Sequence, residues 1–336
     1  MLDFASPDPA SAPPASQPPA LEVTGLSVEF PTRRGTLTAL SDVSLTIRPG
    51  EILGVVGESG AGKSMTGMAV LGLLEPPGRI AGGEIRIDGR RTDSLTEAEM
   101  ARVRGRTVGA IFQDPLTSLN PLFTVGQQLV ETIRLHSDLD RRAARARAVE
   151  LLKQVGIPGA AERVDHYPHQ FSGGMRQRVV IALALSGNPR LIIADEPTTA
   201  LDVSIQAQIT ALLRRLCKEQ GTGVMLVTHD MGVIAETADR VAVMYAGRVV
   251  EVGPVEAVLT APVHPYTKGL MGSIPALGAR VERLAQIDGA MPRLNAIPKG
   301  CAFNPRCPMA GPRCRRERPA LIDGRAACWL LDGELA

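Results

Sequence analysis

The sequence predicts an α/β fold in which a parallel β-sheet carries a glycine-rich loop at one edge. Two observations predict the sheet: short apolar runs recur along the chain, and a helical pattern follows each of them. The first run, "EILGVVG" (51–57), leads through a glycine-rich turn into the helical segment "KSMTGMAVLGLL" (63–74). The later runs are "RLIIAD" (190–195) and "GVMLVTHD" (223–230). Strands that alternate with helices in this way indicate βα units and a parallel sheet.

A second set of patterns predicts the elements around this sheet. Apolar and polar residues alternate in "LEVTGLSVEF" (21–30) and "LSDVSLTI" (40–47), as expected for strands of a small antiparallel sheet. A middle region, about 115–185, has a mainly helical pattern. The stretch "RVAVMYAGRVVEVG" (240–253) predicts a β-hairpin that turns at its Ala-Gly pair.

The composition is that of a folded chain with a nearly balanced charge. The 336 residues include 37 lysines and arginines and 35 aspartates and glutamates, so no charge-driven binding to nucleic acid or to a membrane surface is expected. We predict a disordered tail over 1–20, a main domain over 21–253 and a C-terminal extension over 254–336. No apolar stretch reaches the ~18 residues that cross a bilayer, so a soluble, cytoplasmic chain is expected.

The stretch "GESGAGKS" (57–64) is a complete G-x-x-x-x-G-K-[ST] motif. Glycines let the backbone wrap tightly, so that successive N–H groups point at phosphate oxygens, and the following helix adds its positive end. Lys63 is expected to reach the β- and γ-phosphates, and the Ser64 hydroxyl to bind Mg²⁺. The alternative, a glycine-rich turn with a chance lysine, is disfavoured by the strand before it and the helix after it. The residues expected to contact nucleotide here are Gly57, Glu58, Ser59, Gly60, Ala61, Gly62, Lys63, Ser64 and Met65.

A second motif, "LIIADE" (191–196), ends an apolar strand with two acidic residues. Open α/β sheets bind ligands at the carboxyl ends of their strands. Asp195 suits a partner of Mg²⁺, and Glu196 is expected where it could polarise an attacking water. Many strands end in a charged turn, so this motif alone does not predict a catalytic site. It indicates one here because it follows the phosphate-loop motif in the same chain.

A third motif, "FSGGMRQR" (171–178), predicts the start of a helix. Ser172 can cap a helix that begins at Gly173, and the free N–H groups of that helix end favour an anion. For this octet alone, a capped helix without any ligand is the better explanation.

Together these motifs resemble the ATP-binding subunits of ABC transporters, over about residues 21–253. Phe30 falls where that family stacks an aromatic ring on adenine. Ser172, Gly173 and Gly174 fall in the family's signature sequence, written here as "FSGGM". The resemblance therefore implies that these residues take part in nucleotide binding.

Three further residues fall on family positions. Gln113 in "IFQDP" matches the glutamine that reports the nucleotide state to the membrane subunits, and Asp202 in "TALD" matches the loop that communicates across the dimer. His229 in "THD" matches the switch histidine that contacts the γ-phosphate. The resemblance implies the catalytic set Glu196, His229 and Gln113, and the Mg²⁺ set Ser64, Gln113 and Asp195.

The resemblance also implies a fold and a mechanism that one chain cannot complete. The implied fold is a P-loop NTPase with a RecA-like core, an antiparallel β-subdomain, a helical signature subdomain and a small cysteine-containing extension. Two such subunits pack head to tail around ATP, and the conformational cycle of ATP binding and hydrolysis drives a membrane pore through its transport steps. The implied partners are a second, related ATPase subunit, two membrane permease subunits and an extracytoplasmic solute-binding protein, with no nucleic acid. The chain is then expected at the cytoplasmic face of the inner membrane.

Three stretches are similar to the ATPase subunits of oligopeptide, dipeptide and nickel importers: "GESGAGKSM" (57–65), "IFQDPLTSLNP" (111–121) and "HPYTKGLMGSIP" (264–275). This similarity implies an ATPase that powers peptide import, with nickel or another small solute as the alternative. A soluble ABC ATPase acting on DNA or ribosomes usually has two cassettes or a long coiled coil, and this sequence has neither. The signature and switch motifs argue against a P-loop kinase. The lysine and the two acidic residues are all present, which argues against a scaffold with a vestigial site.

Four of the five cysteines cluster near the C-terminus with the spacing C-x₅-C-x₆-C-x₁₃-C. This spacing fits neither common zinc knuckles nor ferredoxin motifs, so an iron–sulfur cluster, zinc and no metal all stay open. Nearby arginines, among them Arg306, Arg313 and Arg315, favour thiolates. Because some ATPases of the importer subfamily carry an iron–sulfur cluster in this extension, the resemblance implies a [4Fe–4S] cluster on Cys301, Cys307, Cys314 and Cys328. Cys217, on a predicted helix, is expected only to pack.

Overall fold

The structure is a computed structural model that describes residues 17–199, 201–273 and 286–332. Within these residues the chain forms two β-sheets surrounded by helices. Most of the predicted tail (1–20) lies outside the described residues, as do the last two residues of the stretch 264–275.

The strands of the described residues divide into one antiparallel and one mixed sheet. Their bounds are β1 Leu21–Thr32, β2 Gly35–Ile47, β3 Ile52–Val56, β4 Arg79–Ile87, β5 Arg90–Arg91, β6 Val108–Ile111, β7 Leu191–Asp195, β8 Gly223–Val227, β9 Arg240–Tyr245 and β10 Arg248–Pro254. The four-stranded sheet has the order β2-β1-β4-β5, and all its pairs are antiparallel. The six-stranded sheet has the order β10-β9-β3-β8-β7-β6, in which every pair except β10-β9 is parallel.

The helices cover the six-stranded sheet and fill the middle region of the chain. Their bounds are α1 Lys63–Leu71, α2 Glu97–Val103, α3 Pro115–Ser118, α4 Val125–His136, α5 Arg141–Gln154, α6 Ala160–Arg163, α7 Gly173–Ala184, α8 Val203–Gln220, α9 Met231–Thr237, α10 Val255–Thr260, α11 Pro265–Gly272 and α12 Pro312–Arg316. Short 3₁₀ turns occur at Pro168–Gln170, Leu294–Ala296 and Trp329–Leu331. Among the helices of the described residues, none has both the length and the apolar character that a membrane span requires.

The predicted α/β fold with a parallel sheet and a separate antiparallel sheet is confirmed. Every residue of β3 and of β8 is buried, which explains why their sequences are continuously apolar and do not alternate. The sequence contains no clear signal for β4 or β6. β4 contains two glycines and three charged residues, and β6 has four residues, so neither strand has a clear periodic pattern.

Two hydrophobic clusters stabilise this arrangement. One lies between the two sheets and includes Leu26 and Leu40 of the antiparallel sheet together with Val55 of β3. The other joins the opposite face of the large sheet to the helical region, through residues such as Leu151 of α5 and Ile181 of α7. Both clusters consist of residues removed almost completely from water, and burial of this kind stabilises each side chain by roughly 1.5–3 kcal/mol.

The predicted hairpin turn lies where the sequence places it, between β9 and β10. Ala246 and Gly247 have positive φ angles of 47° and 77°, the conformation that a two-residue hairpin turn requires. The turn is also bound to its surroundings. The Gly247 N–H donates to the Ala61 carbonyl at 2.9 Å, and the Gly247 carbonyl accepts from the Ser41 N–H at 2.9 Å. The turn therefore supports the loop that contains Ala61.

The C-terminal extension packs against the free edge of the six-stranded sheet. The Val252 N–H donates to the Arg325 carbonyl, and the Ala327 N–H donates to the Val250 carbonyl, both at 2.8 Å. Phe303 is fully buried against the sheet, with its ring centroid 5.2 Å from that of Tyr245. The extension thus shares the core of the main domain.

We expect Gly247→Ala to destabilise the protein more than Gly221→Ala. Both residues have a positive φ, which costs an alanine roughly 1–2 kcal/mol. A Cβ at Gly247 would also lie 2.2 Å from the Ala39 carbonyl oxygen, whereas nothing lies within 4 Å of a Cβ at Gly221. We expect the free energy of unfolding, measured in urea, to fall by about 3 kcal/mol or more for Gly247→Ala and by about 1 kcal/mol for the control. Equal losses of unfolding free energy in the two variants would contradict the close approach of Gly247 to the Ala39 carbonyl.

Candidate functional site

The glycine-rich loop connects the buried strand β3 to helix α1. The loop begins at Gly57, whose φ is 150° and whose added Cβ would lie 2.3 Å from the Met244 carbonyl oxygen. Only glycine fits between these two segments of backbone. The loop ends where α1 begins at Lys63, and the first turn of α1 contains no acidic residue. The first N–H groups of a helix have no partner within the helix, so this helix end favours an anion, and no acidic side chain of the first turn opposes one.

Lys63 turns back over the loop from the first position of α1. Its Nζ donates to the carbonyl oxygens of Gly57 at 2.8 Å and of Glu58 at 3.0 Å. Burial lowers the pKa of Lys63, although the nearby carboxylates of Glu196, Asp195 and Glu58 act in the opposite direction. The ammonium group is thus held against the loop backbone, with three carboxylates nearby.

Asp195 lies at the carboxyl end of β7 and contacts the first turn of α1. The Ser64 hydroxyl donates to Asp195 Oδ1 at 3.0 Å. Burial raises the pKa of Asp195, and the neighbouring carboxylate of Glu196 raises it further, against the hydrogen bond from Ser64 and the charge of Lys63. This pair of oxygen groups is of the kind that Mg²⁺ prefers.

Glu196 follows Asp195 with a positive φ of 47°, and its carboxylate has three partners. Oε2 accepts from Gln113 Nε2 at 3.1 Å and from the Thr199 hydroxyl at 2.9 Å, and Oε1 lies 3.1 Å from His229 Nδ1. Burial alone would raise the pKa of Glu196, but the hydrogen bonds with His229 and Thr199 together lower it. The carboxylate is therefore ionised and oriented near neutral pH.

These groups share one pocket with a volume of about 800 Å³, within the roughly 300–1,000 Å³ of small-molecule sites. The sequence-predicted residues that line it are Ser59, Gly60, Ala61, Gly62, Lys63, Ser64, Met65, Gln113, Glu196 and His229. The pocket therefore brings the loop motif together with Glu196 and two of its three partners, Gln113 and His229. Asp195 lines a small adjoining pocket together with Ser64.

Other sequence-predicted residues lie elsewhere in the described part of the chain. Phe30 is on β1, where its ring lies against Gly78, and it does not line the pocket. Ser172 caps α7 by accepting from the Met175 N–H, as the sequence predicts, but neither it nor the following two glycines line the pocket. Asp202 caps α8 by accepting from the Ile205 N–H at 3.0 Å.

The structure adds residues that the sequence motifs do not predict. Ala39 of β2 and Leu294 of the C-terminal extension line the pocket. Tyr266 and Arg306 contact the side of the loop at Glu58. No local pattern marks the first two, because each is a single apolar residue brought to the pocket by the fold. Tyr266 does lie in the stretch 264–275, which resembles a family segment.

The four clustered cysteines line one cavity together with His264, but the predicted [4Fe–4S] cluster and a metal-binding role for them are wrong. The side chains of Cys301, Cys307, Cys314 and Cys328 surround about 20 Å³, which is room for about one water molecule. Across residues 17–199, 201–273 and 286–332, no three His, Cys, Asp or Glu side chains are grouped so that they could hold a metal ion.

The chemistry of these thiols also differs from the expectation. Burial raises the pKa of Cys301 to about 11, and it raises the pKa values of Cys307 and Cys328 as well. Arg306, which was expected to favour thiolates, instead places its guanidinium group 3.1 Å from the Glu58 carboxylate. The five cysteines, all of them within the described residues, are free thiols, and Cys217 is buried on α8.

The pocket has the composition of a nucleoside triphosphate site. A lysine and the N–H groups of a helix end provide positive charge for phosphates, a hydroxyl and a carboxylate provide oxygen ligands, and an ionised glutamate can accept a proton from water. A strand, a glycine loop and a helix that hold these groups define a P-loop ATPase.

Comparisons with known proteins agree with this class. The family profile described as "ABC transporter" matches residues 40–199, and the profile "Oligopeptide/dipeptide transporter, C-terminal region" matches residues 250–314. The dipeptide transport ATP-binding protein of Escherichia coli is 47% identical over 308 residues, which cover 91% of this chain and 94% of the relative. The oligopeptide transport ATP-binding protein of Bacillus subtilis is 45% identical over 319 residues, which cover 94% of this chain and 97% of the relative.

A solved structure of an ATP-binding cassette is similar as well. It is a dimer in a post-hydrolysis state bound to ADP and Pi, with a TM-score of 0.62 and 31% sequence identity, covering 70% of this chain and 98% of that chain. The chain therefore belongs to the ABC transporter family and is an ATPase of that family.

We expect Thr199→Val to slow ATP hydrolysis without weakening ATP binding. The substitution keeps the side-chain shape but removes the hydroxyl that donates to Glu196 Oε2. We expect kcat to fall by about tenfold and KM to change by less than about twofold, because the Thr199 hydroxyl donates to the carboxylate and Thr199 does not line the pocket. Thr132→Val, in helix α4, is the matched control, since its hydroxyl donates to the Gln128 carbonyl. An unchanged kcat in Thr199→Val would show that this hydrogen bond is unimportant for turnover.

Proposed function

We propose that the chain hydrolyses ATP to power the import of peptides through a membrane permease. The observation that carries the proposal is that one chain combines the pocket lined by Lys63 and Glu196 with a C-terminal region matching the oligopeptide/dipeptide transporter profile over residues 250–314. Two relatives that align with nearly all of this chain are named for the transport of dipeptides and oligopeptides. Both observations support peptides as the transported solute.

The residues around Ser64 fit a Mg²⁺ ion that accompanies ATP. The Ser64 hydroxyl and the Asp195 carboxylate are oxygen groups at the end of the loop. Burial disfavours the negative charge of Asp195, and Glu196 adds a second negative charge nearby, so a divalent cation would be stabilised here. The Ser64 hydroxyl and the Asp195 carboxylate would hold this ion, which would supply positive charge for the phosphates.

The other pocket residues divide the work of hydrolysis. Lys63 neutralises charge on the phosphate groups from the centre of the loop. Glu196 accepts a hydrogen bond from the attacking water and polarises it, while Gln113, Thr199 and His229 hold the carboxylate in place. Attack on the γ-phosphorus breaks its bond to the bridging oxygen, and the products are ADP and phosphate.

A second ATPase subunit completes the site. The helix end at Ser172 has free N–H groups suited to an anion, yet it lies outside this chain's own pocket. We therefore propose that Ser172, Gly173 and Gly174 face the ATP bound by a second, related subunit, and that Asp202 lies near the same interface. Phe30 is proposed to contact the adenine in the assembled state. The assembly would bind two permease subunits at the cytoplasmic face of the inner membrane, with a solute-binding protein on the other side.

We expect Glu196→Gln to abolish turnover while ATP still binds. The amide keeps the size of the side chain but cannot accept a proton from water, so the ATPase rate should fall by roughly a hundredfold or more. Size-exclusion chromatography with Mg²⁺ and ATP should then detect a dimer that persists, because ATP between the subunits is not consumed. Glu150→Gln, on the exposed face of α5, is the control. Hydrolysis at the parental rate by Glu196→Gln would contradict the catalytic role.

The transported solute is tested in the complete complex. We expect the chain to co-purify from membranes with two permease subunits and a related ATPase. In proteoliposomes containing these subunits and the solute-binding protein, di- and oligopeptides should stimulate ATP hydrolysis, and nickel should not. If nickel stimulated ATP hydrolysis and peptides did not, the transported solute would be nickel and the peptide proposal would be wrong.

A further inference from the structure

The C-terminal part of the chain reaches back to the phosphate loop and contacts Glu58. The Glu58 backbone N–H donates to the Tyr266 hydroxyl at 2.8 Å, and Arg306 Nη1 lies 3.1 Å from Glu58 Oε2. These contacts join residues separated by 208 and 248 positions in the sequence. Both the main chain and the side chain of Glu58 are therefore held by segments that follow the six-stranded sheet.

Arg306 is itself held firmly. Its side chain is 6% exposed. Its Nε donates to the Asp288 carbonyl at 2.9 Å, and its Nη2 donates to the Ile287 carbonyl at 3.2 Å. The guanidinium carbon lies 5.8 Å from the ring centroid of Tyr245 and 5.9 Å from that of Phe303, distances at which a cation is attracted to an aromatic ring. A guanidinium group with this many partners has a defined position, so it can position Glu58 in turn.

The orientation of the peptide group between Gly57 and Glu58 matters because the Lys63 ammonium group donates to the Gly57 carbonyl as well as to the Glu58 carbonyl. The Gly57 carbonyl lies in the same peptide plane as the Glu58 N–H, which donates to the Tyr266 hydroxyl. Rotation of this part of the loop would break both hydrogen bonds and move the ammonium group. The contacts from Tyr266 and Arg306 therefore restrict the position of the charge that meets the phosphates.

We propose that Arg306 and Tyr266 are positioning residues of the nucleotide site, which keep the phosphate loop in its ATP-binding shape through Glu58. The inference rests on the ATP-binding role of the loop and does not depend on the transported solute. A loop that is ordered before the nucleotide arrives loses less entropy on binding, which raises affinity. Leu294, from the same C-terminal part, lines the pocket directly, so the extension contributes to the site at a second point.

The test is a double-mutant cycle in the full chain with Glu58→Gln, Arg306→Gln and the two combined. The probe is the non-hydrolysable analogue AMP-PNP with Mg²⁺, titrated by calorimetry. Loss of a charge-assisted hydrogen bond predicts a Kd about tenfold higher for each single variant. The double variant should bind no more weakly than Arg306→Gln alone, since both substitutions remove the same contact. With ATP, KM should rise by a similar factor while kcat stays within about twofold, because the Glu196 contacts are unchanged.

Controls separate this role from a general effect on folding. Arg315→Gln removes the same charge from an exposed position on α12, and its Kd should stay within about twofold of the parent. A lower melting temperature with an unchanged Kd in Arg306→Gln would make Arg306 merely structural and overturn the proposal. A rise in the Kd of the double variant equal to the product of the two single-variant factors would show that Glu58 and Arg306 act independently, and it would also overturn the proposal.

Two milder variants decide the matter if Arg306→Gln does not fold. Glu58→Gln keeps the size of the loop side chain, and Tyr266→Phe keeps the buried ring while removing the hydroxyl that accepts from Glu58. An unchanged Kd in both variants would overturn the proposal, whereas a higher Kd in both would support it. A parent chain that fails to bind AMP-PNP would instead contradict the ATP-binding role on which the proposal rests.

Discussion

Parallel strands of the six-stranded sheet end at one edge, and the relative positions of the reacting groups depend on that shared edge. β3 leads into the loop with Lys63, β6 is followed by Gln113, β7 by Glu196 and β8 by His229. These residues are far apart in the sequence, but adjacent pairing of their strands brings them around one pocket. The contacts of Glu196 with Gln113 and His229 therefore depend on the pairing of β7 with both β6 and β8.

Much of the sheet and the loop could be predicted from local patterns. A strand, a glycine loop and a helix follow one another within 51–74, so the motif and its structural context are read together. β6 could not be predicted in the same way, because four residues contain too little periodicity. The contact of Arg306 with Glu58 was also unpredictable, since its partners are separated by 248 residues and no local spacing relates them.

The four clustered cysteines show that residues close together in the sequence need not form a metal site. The four residues do come together around one cavity, as their clustering suggests. Spacing cannot, however, reveal the size of the cavity or the burial that raises the pKa of Cys301 to about 11. His264, which lines the same cavity, is buried as well, and burial lowers its pKa to about 4. The interior here is an apolar environment that disfavours charge on either kind of side chain.

The contacts of Glu58 have a consequence for protein synthesis. A chain leaves the ribosome with its N-terminus first, so the loop emerges long before Tyr266 and Arg306, which lie 208 and 248 residues beyond Glu58. A nascent chain that has exposed only the loop lacks both contacts. If these contacts position the loop as we propose, the loop acquires its final geometry late in translation, and a truncated chain would bind nucleotide more weakly than a finished one.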